Sequence, residues 1–238
     1  MPSTNIIAID PSTSCTGICY NGKVACFSSE AKVFTKKRDL TKWFGIASEA
    51  AKINSYPELT KVKGEAFSHS EVGKLNHFDS ITDSIIDFLQ KEVNISSKDI
   101  VLIEGYSYSS EAGHIIDLVT FSTLLRKKLK SMGVNLIVVQ PSELKMLAAK
   151  TTYAPKDVGK RKPKLRWENP DGVAGGSFKK PEMYRAITDN ATFTDDWTEL
   201  LREHFSDIMS MNKIPTPLDD INDAFLLYHA YQANLINT

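Results

Sequence analysis

Four carboxylates stand where side chains are aimed rather than packed. Asp10 ends the β-branched run Ile6-Ile7-Ala8-Ile9 and is followed by the turn Pro11-Ser12. Glu104 ends the apolar run Ile100–Ile103, and Asp220 and Asp223 occupy the first turns of an apolar helical stretch carrying Leu218, Ile221, Phe225, Tyr228 and Leu235. Residues three apart share a helix face, so Asp220 and Asp223 point the same way, although Asp219 and Asp223 share one nearly as well. Gathering four carboxylates is electrostatically costly unless a cation sits among them. Hard oxygen donors suit Mg²⁺, with Mn²⁺ as a substitute, and do not suit zinc. Two such ions about 4 Å apart activate an attacking water and stabilise the leaving oxygen in phosphodiester hydrolysis. Taken singly, an Asp after a strand is an ordinary turn former, and an Asp pair at a helix start is an ordinary cap. Glu104 has no such excuse, because Glu forms turns poorly. The ordered combination therefore points to a catalytic metal cluster.

Positioning those groups requires a sheet whose strands end at one edge. Ile6–Ile9 reads as a buried strand, and Thr16–Tyr20, Asn21-Gly22 and Lys23–Phe27 read as two more strands joined by a hairpin. Asn-Gly is the strongest short-range hairpin signal, since both residues accept positive φ. Phe78, Ile81, Ile85, Phe88 and Leu89 mark one face of an amphipathic helix. Ile100–Ile103 is a fourth strand; Ile115, Leu118, Leu125, Leu129 and Met132 mark a second helix ended by Gly133; Val134–Val139 is a fifth strand, broken at Gln140-Pro141-Ser142. With strands one and four as neighbours, Asp10 and Glu104 emerge side by side. Three strands, helix, strand, helix, strand and a terminal helix is the ribonuclease H-like order: an α/β fold with a mixed five-stranded sheet and helices on both faces. The chain is read as one domain over 1–238, with insertions at about 34–76 and 150–180. Trp43, Phe44, Ile46 and Ala47 suggest a short helix in the first insertion, with no clean period beyond it.

The second insertion is where composition shifts. Lys145, Lys150, Lys156, Lys160, Arg161, Lys162, Lys164, Arg166, Lys179, Lys180 and Arg185 are opposed only by Asp157, Glu168, Asp171 and Glu182. Pro163, Pro170, Gly172, Gly175 and Gly176 make the middle of it read as a mobile loop. Its lysines and arginines could neutralise phosphates, and Gly-rich turns such as Gly175-Gly176 before Lys179-Lys180 can offer backbone amides to anions. The bland alternative is a solvated charged loop. Tyr106 and Tyr108, just after Glu104, are either surface tyrosines or platforms for stacking on unpaired bases.

Overall composition bounds the rest. The 238 residues carry 29 Lys+Arg and 29 Asp+Glu, so net charge favours no partner and only its distribution does. Cys15, Cys19 and Cys26 lie in apolar, strand-like surroundings with no nearby His and read as core thiols of a reducing cytosol rather than a metal knuckle. The start lacks a signal-peptide pattern and no run is long and apolar enough for a membrane span, which suggests a cytoplasmic protein with no membrane partner.

Three segments carry a family resemblance. Ile7-Ala8-Ile9-Asp10-Pro11-Ser12, with Thr16-Gly17 following, resembles the opening motif of RuvC-type Holliday junction resolvases, and Leu102-Ile103-Glu104 resembles their second. Asp220-Ile221-Asn222-Asp223-Ala224-Phe225 resembles their terminal Asp-x-x-Asp-Ala helix, and Val138–Lys145 resembles their strand leading to Pro-Ser and a lysine. Ser12 stands where the family has Gly, and the two insertions resemble those of viral or bacteriophage members. The resemblance implies that Asp10, Glu104, Asp220 and Asp223 bind two Mg²⁺ ions, that the substrate is branched DNA such as a four-way junction, and that the chain is a homodimer through the Ile115–Met132 helix. Tyr106 or Tyr108 would wedge the junction. A ribonuclease H or flap nuclease on the same fold is the nearest alternative, but the usual ribonuclease H arrangement puts its Glu on the first helix. A catalytically silent DNA-binding scaffold is the other, disfavoured because all four candidate ligands are present.

Overall fold

The computed structural model describes residues 4–34, 38–59, 64, 66–106, 112–160 and 162–236. Strand β1 (Ile6–Asp10) pairs antiparallel with β2 (Cys15–Tyr20), which pairs antiparallel with β3 (Lys23–Ser29) across a turn where Asn21 and Gly22 both take positive φ, as the Asn-Gly pair requires. The short α1 (Glu30–Val33) and α2 (Arg38–Ala47) lead to β4 (Ala51–Tyr56), and α3 (Phe67–Phe88), extended by a π-helical turn over Leu89–Val93, leads to β5 (Ile100–Glu104). Helix α4 (Ala112–Ser131) crosses to β6 (Asn135–Val139), and α5 (Pro141–Thr152) begins at the proline that ends that strand. A separate ribbon, β7 (Pro155–Asp157) with β8 (Leu165–Trp167), precedes α6 (Lys180–Asp189), α7 (Asp196–Glu203), α8 (Phe205–Met209) and α9 (Leu218–Gln232).

The main sheet has six strands in the order β4-β3-β2-β1-β5-β6. β4, β5 and β6 run parallel to their neighbours, and only the β1-β2-β3 meander is antiparallel. This is the ribonuclease H-like order, with one strand added outside β3, so the expected five strands are corrected to six. The added β4 escapes sequence reading because it is an edge strand whose Ala51 and Tyr56 alone are buried, leaving Lys52–Ser55 without an apolar alternation.

Strand period two sorts the core into halves. Ala8, Cys15, Cys19, Cys26 and Leu102 face a cluster with α2, α5, α6, α7 and α9, whereas Ile7, Ile9, Ile18, Val101 and Ile103 face one with α3 and α4. Helices therefore cover both faces. The cysteines are buried and free, as expected of core thiols. Phe121, which could have formed a second apolar face on α4, is fully buried within its own chain, with its ring tilted on Phe78 at 6.0 Å. The basic segment revises one expectation: its middle holds a hydrogen-bonded ribbon rather than a mobile loop, and helix α6 follows the Gly175-Gly176 turn. Among the described residues, no helix is long and apolar enough to cross a membrane.

Candidate active site

β1 and β5 are parallel neighbours with Ile9 opposite Ile103, so each places its terminal carboxylate at the same sheet edge. Behind Asp10 the chain turns through Pro11-Ser12, held by the Thr16 hydroxyl donating to Ser12 O at 3.0 Å and by Ser14 N–H donating to Ser12 Oγ at 3.2 Å. Glu104 is fixed from two sides. Gly105 N–H donates to Val139 O at 2.7 Å, and Arg126 of α4 donates through Nη2 to Glu104 O at 3.2 Å. Helix α9 brings the third carboxylate. It lies so close to β2 that a Cβ on Gly17 would sit 2.0 Å from Asp220 O, which is the physical reason for a glycine there. Trp197 Nε1–H donating to buried Asn222 Oδ1 at 3.0 Å fixes the rotation of α9.

Asp10, Glu104 and Asp223 converge: each offers a carboxylate oxygen, and these lie within 4.8 Å of one another. Asp220 does not join that group. It is half-buried on the same helix, close enough for its charge and that of Asp10 to disfavour each other, and close also to Cys15 and Tyr56. Asp219 turns instead to Lys180, whose Nζ is 3.1 Å from Asp219 Oδ1 and also bonds Asp223 Oδ2. The cluster lines a cleft of about 280 Å³ together with Ser12, Leu144, Lys145, Lys180 and Met183. A second hollow, of about 390 Å³, adjoins it through Gly105 and Pro141 and is lined by Tyr106 and Arg126, with the guanidinium carbon 5.2 Å from the ring centroid.

In the chain alone these carboxylates resist ionisation. Burial raises the Glu104 pKa well above its ordinary value, and the charges of Asp10 and Asp223 push it further. Burial likewise raises Asp10, although Lys180 and a hydrogen bond with Glu104 oppose it. Asp223 is pushed up to about 7 by burial and by Asp10 and Asp219, against the pull of Lys180. For Lys180 burial works the other way, lowering its pKa, but Asp223, Asp219 and Asp10 outweigh it and hold the ammonium charged. One lysine is not enough for so many carboxylates. Asp223 Oδ1 is buried with no hydrogen-bond partner among the described residues. Hard oxygens, a concentration of negative charge and an unsatisfied buried lone pair together form a donor set that could hold a hard divalent cation.

The other expected site residues fall into distinct places. Lys145 and Lys180 line the cleft, so Lys180 is a partner of the carboxylates as well as a candidate phosphate contact. Lys179 is exposed at the start of α6, its N–H donating to Glu182 Oε2 at 2.7 Å. Lys160, Lys162 and Lys164 are exposed at the tip of the β7–β8 ribbon and do not line the cleft. Tyr108 and Arg161 lie outside the described residues. Arg126 was not anticipated, because no spacing in the sequence ties a residue midway along α4 to the end of β5.

No family model matches the sequence, and no curated protein matches it. Among solved structures, RuvC of Thermus thermophilus in complex with a Holliday junction substrate is similar over 98% of this chain and 96% of that one, at 10% identity and a TM-score of 0.40. A second Thermus thermophilus RuvC structure covers 97% and 96%, at 11% identity and a TM-score of 0.41. The Aquifex aeolicus member of the Ppx/GppA family covers 88% of this chain and 61% of its own, at 10% identity and a TM-score of 0.25. The chemistry of the site rests on this chain's own residues.

Proposed function

We propose that this protein is a divalent-metal-dependent, structure-selective DNA endonuclease that cuts four-way junctions or related branched DNA. The observation that carries the reading is the convergence of Asp10, Glu104 and Asp223 within 4.8 Å at the floor of a cleft that also holds two lysines. Asp10, Glu104 and Asp223 would hold the metal, with Asp220 adjoining, and Mg²⁺ or Mn²⁺ bound there, as one ion or a pair, would supply Lewis-acid stabilisation of a phosphodiester under attack. Lys145 and Lys180 neutralise the phosphate as it enters, which the carboxylates alone would repel. Arg126 keeps the Glu104 backbone in place and carries Tyr106 beside the cleft, where its ring can stack on a base that a branch point leaves unpaired.

Branched DNA is chosen over an RNA–DNA hybrid because Glu104 ends a strand and Asp220 and Asp223 share the terminal helix, the pattern in which the sequence resembles resolvases. Symmetric cutting of two strands needs two active sites, for which a homodimer is the simplest assembly. The deciding experiment is a cleavage panel of four-way junction, flap, RNA–DNA hybrid and linear duplex with Mg²⁺, Mn²⁺ or EDTA. Metal-dependent cutting confined to branched substrates is expected. Preferential cutting of the hybrid, or of nothing in any metal, would overturn the reading.

A further inference from the structure

The segment between α5 and α6 carries an arm that the carboxylate cleft does not use. β7 and β8 pair in the register Pro155↔Trp167, Lys156↔Arg166 and Asp157↔Leu165, and Val158 N–H continues the ladder by donating to Lys164 O at 2.9 Å. Residues 154–160 and 162–166 are all exposed, so no core holds this ribbon. A lone two-stranded hairpin is marginal in water. Here the tip is tied by Asp157 Oδ1, which accepts from Gly159 N–H at 2.8 Å and from Lys164 N–H at 2.9 Å. The root is tied to α5, where Lys150 Nζ lies 4.8 Å from the centroid of the Trp167 ring. The tip is narrow: a Cβ on Gly159 would sit 1.8 Å from Lys162 O.

Its side chains work against its own stability. Lys156 and Arg166 face each other directly across the strands, where like charges repel. Glu168 takes up Lys156, but among the described residues no carboxylate oxygen lies within 4.0 Å of the side-chain nitrogens of Lys160, Lys162, Lys164 or Arg166. Between the charges stand apolar side chains left in water, Leu165 at 57% exposure and Val158 at 43%. A partner that satisfies all of this must present anions in rails and apolar or base-edge surface between them. Duplex DNA does so, and its major groove admits a two-stranded β-ribbon and offers thymine methyl groups to apolar side chains.

We propose that the ribbon Pro155–Trp167 seats in the major groove of a duplex arm of the DNA being cut. It grips that arm while the carboxylate cleft, on a separate part of the molecule, receives the scissile strand. This inference rests on the DNA nuclease reading above.

The test is guanine N7 methylation interference on a synthetic four-way junction bound in EDTA, since N7 lies in the major groove. Methylation within one discrete stretch of an arm is expected to lower binding of the wild-type protein several-fold. The variant carrying Lys160→Ala, Lys162→Ala and Lys164→Ala should lose that interference, and its plot of log K against log salt should be shallower by about 0.9 for each phosphate no longer neutralised. Gly159→Ala keeps every charge and splays the tip, so it should lose the interference while keeping the wild-type salt slope. Wild-type binding to the junction with no N7 interference in any arm, or interference that persists in the triple variant, would overturn the ribbon inference and leave the nuclease reading standing. Failure of the wild-type protein to bind any DNA would overturn both.

Discussion

The carboxylate edge and the β7–β8 ribbon are built on opposite principles. Asp10, Glu104 and Asp223 come from β1, β5 and α9, elements far apart in sequence, and each is locked by packing: β1 on β5, and α9 against the bare backbone of Gly17. The ribbon is made from neighbours in sequence and is tied by local bonds from Asp157 and by the packing of Lys150 on Trp167. The first region tolerates an electrostatic cost because tertiary burial over-determines it. The second keeps its charges in water and its backbone free of the core. Chemistry on a phosphodiester demands placement to a fraction of an ångström, whereas holding a duplex demands reach and charge. On the proposed reading, the contrast divides the molecule into a rigid cutting edge and a solvated grip.

The largest effects are expected at the carboxylate edge. Asp10→Asn or Glu104→Gln should lower cleavage of a four-way junction to about a thousandth of wild type or less, because positioning the metal is worth several kcal/mol. Junction affinity measured in EDTA should hold or rise, since a negative charge has been removed from the cleft. Equal activity in both variants would mean that the cluster is structural.

Gly17→Ala attacks the same edge from behind. The added methyl must displace the Asp220 carbonyl, so α9 shifts with Asp223 on it. A stability loss of about 1–3 kcal/mol in denaturant melts is expected, accompanied by a fall in cleavage rate larger than the stability loss explains. Unchanged stability would show that α9 can slide on β2, and the claim of rigidity would fall.

At the grip, effects should be smaller and of another kind. Neutralising Lys160, Lys162 and Lys164 together is expected to weaken binding by about tenfold at low salt, with the difference shrinking as salt rises. A defect that ignores ionic strength would assign those lysines a folding role.

An effect confined to acid pH belongs to α9. His229 is packed between the rings of Phe193 and Phe225 at 4.3 and 4.2 Å, and burial lowers its pKa from 6.5 to about 4. The folded chain therefore binds fewer protons than the unfolded chain between those values, and stability falls as pH drops through the window from 6.5 toward 4, by about 3 kcal/mol at most. His229→Phe should flatten that slope in pH-dependent melts. A variant as acid-labile as wild type would place the loss elsewhere.

The two regions also differ in how far their sequence announces them. The apolar runs ending in Asp10 and Glu104 are legible because buried strands demand continuous β-branched residues, so a carboxylate at their end stands out. Gly17 was legible as part of a motif, but only the approach of α9 explains it. The choice among Asp219, Asp220 and Asp223 was not legible, since a few degrees of helix rotation, set here by Asn222 on Trp197, decide which carboxylates face Glu104. The ribbon resembles a loop in sequence because short, fully exposed strands carry no hydrophobic alternation, and Pro163 with the glycines dominates the local signal. Helix α3 was expected from Phe78 and begins at Phe67, because its first turns are largely exposed and show no apolar stripe.

That Asp10, Glu104 and Asp223 form a cation site is tested directly, without any substrate, by Mn²⁺ titration followed by electron paramagnetic resonance. The wild-type protein should bind Mn²⁺ saturably and release it to excess Mg²⁺, and Asp223→Asn should weaken that binding by about tenfold or more, as loss of a hard anionic ligand requires. Superimposable isotherms for the two proteins, or no saturable binding to the wild type, would rule out a cation site at these carboxylates.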